Sequence, residues 1–144
     1  MKLYTLSLFL IFISGCSFAE KYESLDLEGK MVSLNTSKCY VNYDSKDIHF
    51  GSVGNCFFVK ENNSEKIRMK YYKDIDSYVF LIVGDMLSKD PEYPLTMQRE
   101  DCGSTVKALI INKKEAIVSI NKFTNTVTCA GIGSDEKEFY FLSH

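Results

Sequence analysis

Two histidines, five cysteines and a few closely spaced acids are the residues from which this chain could build a reactive site. Histidine is the usual proton carrier near neutral pH. His49 lies between apolar Ile48 and Phe50 in a strand-like stretch, which suits a structural or surface side chain. His144 stands last, where chain ends fray unless they are tied down. Asp74 and Asp76 are two residues apart and would share one face of a strand. They could supply the carboxylate pair that glycoside hydrolysis uses. Asp135 and Glu136 are adjacent and would point to opposite faces unless a loop bends them. No G-x-S-x-G, H-E-x-x-H or P-loop motif accompanies them. Gly131-Ile132-Gly133-Ser134 lacks the lysine and following helix of a phosphate cradle and reads as a turn. The expectation is a non-enzymatic chain with no catalytic residues and no cofactor.

The cysteines carry a different chemistry. Lys2 supplies a positive charge, residues 3–13 a short apolar run, and Ser14-Gly15 two small residues, the three-part pattern of an export signal. The run is about half the roughly 20 residues that a spanning helix needs. Ile13-Ser14-Gly15-Cys16 resembles the lipobox of bacterial lipoproteins. That resemblance implies cleavage before Cys16, diacylation of its thiol and, with Ser17 following, an outer-membrane address. Ser17-Phe18-Ala19 offers ordinary signal peptidase an alternative site before Glu20, which would release a soluble exported protein. Either way Cys39, Cys56, Cys102 and Cys129 remain, and in an exported chain they read as two disulfides. The sequential pairing, Cys39–Cys56 and Cys102–Cys129, closes a local loop between neighbouring strands each time and is the one expected. A zinc or other metal site is disfavoured because no C-x-x-C occurs.

The elements that must position these residues are strands. The 144 residues are 45% hydrophobic and 25% charged, enough for one ordinary core. The organisation expected is a signal peptide at 1–15, a tether at 16–30 and a single β domain at 31–144. Beyond residue 16 the chain carries 16 basic and 19 acidic side chains, a net of −3, so no nucleic acid is expected as a partner. Residues 38–43 alternate, with Cys39, Val41 and Tyr43 on one face. Residues 78–83 are six apolar side chains in a row, as in a strand buried on both faces. Residues 105–111 and 116–120 form the clearest hairpin, and a second turn is expected at 121–125. A short helical turn is possible at 86–89, a strand at 95–99, and a last strand at 139–142. The spacing of turns predicts an all-β fold, a small disulfide-stapled antiparallel barrel or sandwich with at most one short helix.

Residues 66–72 alternate basic and apolar side chains, so Arg68 and Lys70 form a cationic stripe beside Tyr72. Tyr93 lies in the longest irregular segment, where binding loops concentrate. These four are the partner-binding candidates. Nine tyrosines with no tryptophan offer a further surface from Tyr43, Tyr71, Tyr72, Tyr78, Tyr93 and Tyr140, since tyrosine supplies contact area at low entropic cost. Cys102-Gly103 before an apolar strand, then Cys129, then Asp135-Glu136-Lys137-x-Phe139 close to His144, resembles some uncharacterised exported bacterial proteins over residues 102–144. The resemblance implies no activity. The function expected is that of a cell-envelope protein binding another envelope or exported protein, of inhibitor, immunity or assembly type, with the membrane reached through Cys16. A carrier of a small apolar ligand and a cell-wall hydrolase are the alternatives.

Overall fold

The computed structural model describes residues 20–88 and 99–144. The strands are β1 (Tyr22–Leu27), β2 (Lys30–Asn35), β3 (Tyr40–Tyr43), β4 (Lys46–His49), β5 (Phe57–Phe58), β6 (Met69–Tyr72), β7 (Ser77–Met86), β8 (Cys102–Ile111) and β9 (Ala116–Cys129). A 3-10 turn, Ala130–Ile132, and one α-helix, α1 (Glu136–Ser143), follow. The first sheet is the antiparallel meander β1-β2-β3-β4. The second runs β5-β7-β8-β9, with β6 also paired to β7. Among the described residues neither sheet closes on itself, so the fold is a sandwich and not a closed barrel.

Alternation explains which face each strand buries. Val32 and Leu34 of β2, and Val41 and Tyr43 of β3, point at the second sheet. They meet Phe80 and Ile82 of β7 and Leu109 and Ile111 of β8. The opposite residues of the second sheet, Val79, Leu81, Val83, Val106 and Ala108, pack against Phe139 and Leu142 of α1. β7 is thus covered on both sides, as its unbroken apolar run requires. Each such side chain contributes about 1.5–3 kcal/mol on full burial. The disulfides are Cys39–Cys56 and Cys102–Cys129, closing sequence separations of 17 and 27 residues. In the chain-entropy account, loops of this size add about 3–4 kcal/mol each.

Several elements differ from expectation. Residues 22–30, assigned to a tether, instead hold β1 and its turn into β2. Their alternation is hidden because β1 points Glu23 inward, where it meets Lys60 at 3.2 Å and the Phe58 amide at 2.7 Å. The turn expected at 121–125 is absorbed into β9, whose register against β8 slips twice. Asn125 keeps its left-handed backbone (φ 57°) within the second slip. The last strand expected at 139–142 is helical. Asp135 caps α1, its carboxylate accepting from the Glu138 amide at 2.9 Å, and Glu138 returns a bond from the Asp135 amide at 3.2 Å. This capping box fixes a helix whose buried residues, Phe139 and Leu142, are three apart. Met86 ends β7 in place of the helical turn, and the strand expected at 95–99 lies outside the described residues apart from Arg99.

The capped helix makes a direct prediction. Asp135→Ala should cost about 0.5–2 kcal/mol in urea unfolding, and Phe139→Ala about 3–5 kcal/mol. Lys137→Ala, on the exposed side, should stay within about 0.5 kcal/mol. Equal costs at positions 135 and 137 would remove the capped helix.

Candidate functional site

Four hairpin turns gather at one end of the sandwich. Residues 28–29 join β1 to β2, 44–45 join β3 to β4, 73–76 join β6 to β7, and 112–115 join β8 to β9. Their local chemistry is that of tight turns. Glu28-Gly29 and Asp44-Ser45 hold positive φ at both central positions (52° and 82°, 51° and 62°), as two-residue type I′ hairpins demand. Asp26 receives the Gly29 amide at 3.0 Å. Asn112 receives the amides of Lys114 and Glu115 at 2.8 and 2.9 Å, an Asx arrangement.

Between these turns lies a cleft of about 310 Å³. Leu27 and Ile111 form its floor and Tyr43, Tyr71 and Tyr78 its walls, while Glu28, Lys30, Asp76, Asn112 and Lys113 form the rim. The Tyr71 and Tyr78 rings lie 4.9 Å apart at a tilt of 50°. Each phenol is pinned by an acid from a turn: Tyr71 donates to Asp76 at 2.6 Å, and Tyr78 donates to Glu28. Lys30 pairs with Asp44 at 3.1 Å and stands 5.5 Å from the centre of the Tyr43 ring. Lys113 reaches Asp76 at 3.6 Å. All four turns are therefore cross-linked through the cleft.

These bonds set the protonation. The Tyr71 hydroxyl, then Lys113, hold the Asp76 carboxyl below its ordinary range. Asp76 and Glu28 raise the Tyr71 and Tyr78 phenols above theirs. At neutral pH the phenols stay neutral donors with fixed rings. The arrangement can stack a flat or apolar group on tyrosine faces while charged and amide groups hold its polar edges. The residues lining it include no histidine, serine or cysteine.

The structure disperses most of the residues singled out from the sequence. Arg68, Lys70 and Tyr72 do share a face, but the chain's own helix covers it. The Arg68 guanidinium lies 5.2 Å from the Phe139 ring and donates to the Ser134 carbonyl. Lys70 pairs with Glu136 at 2.7 Å, and Tyr72 meets the rings of Tyr140 and His144 edge-on. The acidic partner of that stripe is thus intramolecular. Tyr93 lies outside the described residues, as does Cys16. Asp74 and Asp76 diverge: Asp76 enters the cleft, while Asp74 bonds His144 Nε2 at 2.9 Å. His144, expected to fray, is held there and stacked 4.0 Å from Tyr140. His49 is exposed on β4, its ring centre 5.6 Å from that of Tyr40.

Ser143, His144 and Asp74 form a chain of contacts that looks like a catalytic relay, with Ser143 Oγ 2.9 Å from His144 Nδ1. The Ser143 hydroxyl also reaches the Phe139 carbonyl at 2.8 Å. A carbonyl only accepts, so the hydroxyl hydrogen is committed to the backbone and Ser143 is not an activated nucleophile. Among the described residues no cluster of three or more His, Cys, Asp or Glu could hold a metal ion. No helix among them is long and apolar enough to cross a membrane.

Comparison with protein-family models, with curated proteins and with solved structures finds no match. The cleft must therefore speak for itself. Sequence reasoning found three of its tyrosines and Asp76 but missed Glu28, Lys30, Asn112 and Lys113. The Glu28-Gly29 pair was a hairpin signal inside the stretch assigned to a tether.

The pinned phenols make a prediction with a definite sign. A phenol with a raised folded pKa contributes stability fully present below its ordinary 10.0 and lost as pH rises through the folded value. Asp76 contributes above its ordinary 3.8 and loses its contribution as pH falls through the lowered value. In a tyrosinate absorbance titration, Glu28→Gln should bring one phenol, that of Tyr78, back toward 10.0. An unchanged titration curve would mean the Tyr78–Glu28 bond does not persist in solution.

Proposed function

We propose that this chain is a non-enzymatic protein of the bacterial cell envelope that binds another protein through the tyrosine cleft. Two disulfides place the folded chain in an oxidising compartment, extracellular or periplasmic. The finer reading is an outer-membrane lipoprotein anchored through Cys16. The observation that carries the binding role is the convergence of three turns, with a fourth tied in through Lys30–Asp44, on three tyrosines with a mixed-charge rim. Tyrosines with fixed rings lose little freedom on binding, and turns carried on a rigid sandwich are where recognition sites concentrate. The partner is an exported or envelope protein, met as by an inhibitor, an immunity protein or an assembly accessory.

The alternative readings draw less support. A lipid carrier needs an internal cavity, and the space between the sheets is filled by Leu34, Phe58, Phe80 and Leu109, all with no exposed surface. A cell-wall hydrolase needs paired acids, and Asp74, Asp76 and Asp135 are each engaged elsewhere.

The test is capture of the partner from an envelope extract by the mature protein and by Tyr71→Ala. Tyr71 is half-exposed and central to the cleft. Its truncation should weaken capture about tenfold, the size of a modest interface hot spot. Ile120→Asn, on the far strand β9, should leave capture unchanged. Undiminished capture by Tyr71→Ala removes the cleft from the binding site. A small molecule co-purifying in place of a protein favours the carrier.

A further inference from the structure

We infer that the end of the sandwich opposite the tyrosine cleft is the surface laid on the lipid bilayer, so that the cleft is presented away from the membrane. The inference rests on the reading of Cys16 as the acylated residue, and the geometry of β1 supplies the direction. β1 runs from Tyr22 to Leu27, and Leu27 forms part of the cleft floor. Its start therefore lies at the other end, about 20 Å away for six extended residues.

The chain is fastened to the domain as soon as it reaches that end. The Glu20 carboxylate receives Asn35 Nδ2 at 2.9 Å, together with the Tyr22 hydroxyl and the Lys38 ammonium. The Lys21 carbonyl receives both the amide and the hydroxyl of Thr36, at 3.0 and 3.1 Å. Only four residue steps separate Cys16 from this clamp, and they reach at most about 14 Å however they are arranged. A lipid on Cys16 thus holds this end within about 14 Å of the headgroups, while the cleft lies at the far end of β1 from that clamp.

The surface there has the character of an interface with lipid. The loop at 51–55 leaves the Phe50 amide bonded to the Cys39 carbonyl and returns with the Cys56 amide on the Thr36 carbonyl. The Cys39–Cys56 disulfide closes it. It carries Val53 outward, 84% exposed, with its amide fixed to Asp85 at 2.9 Å. Tyr22, Lys21 and Lys38 are exposed at the same end of the sandwich, with Lys38 paired to Glu20. An aliphatic tip sharing an end with a tyrosine and two lysine stems matches the chemistry of the membrane–water boundary.

The absence of tryptophan from the chain makes the test clean. Single reporters Val53→Trp, Ile120→Trp and Lys113→Trp mark the opposite end, the β9 side and the cleft rim. Tyr22→Trp is a second reporter at the Val53 end should Val53→Trp disturb the loop. Each full chain, carrying its native anchor, is placed in phosphatidylethanolamine–phosphatidylglycerol vesicles with brominated acyl chains. Loss of emission at positions 53 and 22, with emission kept at 120 and 113, is the expected result. Equal or greater quenching at 120 or 113 overturns the orientation, and so does no quenching anywhere when mass spectrometry shows Cys16 acylated. A mature N-terminus at Glu20, or an unmodified Cys16, overturns the anchor itself and the orientation with it.

Discussion

One strand cannot meet water on either side, and the architecture answers to it. β7 carries Val79, Leu81 and Val83 on one face and Phe80 and Ile82 on the other, all buried. A sheet built around such a strand needs two covers. The meander β1–β4 supplies one and α1 the other. The helix is only eight residues long, too short to hold itself together in water. Its capping box and the burial of Phe139 and Leu142 make it serviceable as a lid. The polar bonds at its edges, Lys70–Glu136 and His144–Asp74, are surface pairs that orient more than they stabilise.

What was legible in the sequence follows from this. Alternation at 38–43, the apolar run at 78–83 and the hairpin at 105–120 announced an all-β fold, because residues 38–43 bury one face and the apolar strands at 78–83 and 105–111 are buried along most of their length. Even cysteine parity and short loop closure pointed to the pairing found. α1 was illegible by period because Phe139-Tyr140-Phe141-Leu142 is apolar throughout and aromatic residues favour strands. The decisive signal was local, the Asp135-x-x-Glu138 spacing of a capping box. β1 was hidden by an inward charge, since Glu23 occupies the position where alternation calls for an apolar residue. Such a charge on the outermost strand also discourages pairing with another chain.

The cleft was legible only in its tyrosines. Its components come from residues 27–30, 43, 71–78 and 111–113, and no linear motif spans them. Their juxtaposition is a product of topology. In an antiparallel meander, alternate turns fall at the same end, and the two sheets happen to bring theirs to one side. The cationic stripe at Arg68 and Lys70 shows the converse. A pattern that looks like a docking surface in sequence can be the seat of the chain's own next element, and only the fold decides which.

The hairpin construction of the cleft also bears on how such a protein can change over generations. Glu28, Asp44 and Asp76 sit on left-handed backbone, a conformation that few side chains tolerate well, so drift at those positions is narrow. Lys30, Tyr43, Tyr71, Tyr78 and Lys113 have no positive φ to satisfy and project from ordinary strand or turn backbone. Replacing Lys30, Tyr71 or Lys113 leaves the interior of both sheets untouched, whereas Tyr43 belongs to the core between the sheets and Tyr78 packs against it. A lineage pressed by a rapidly varying partner could rewrite those three while the scaffold stood still, and close relatives of this chain would then agree in their cores and cysteines while disagreeing at the rim of the cleft.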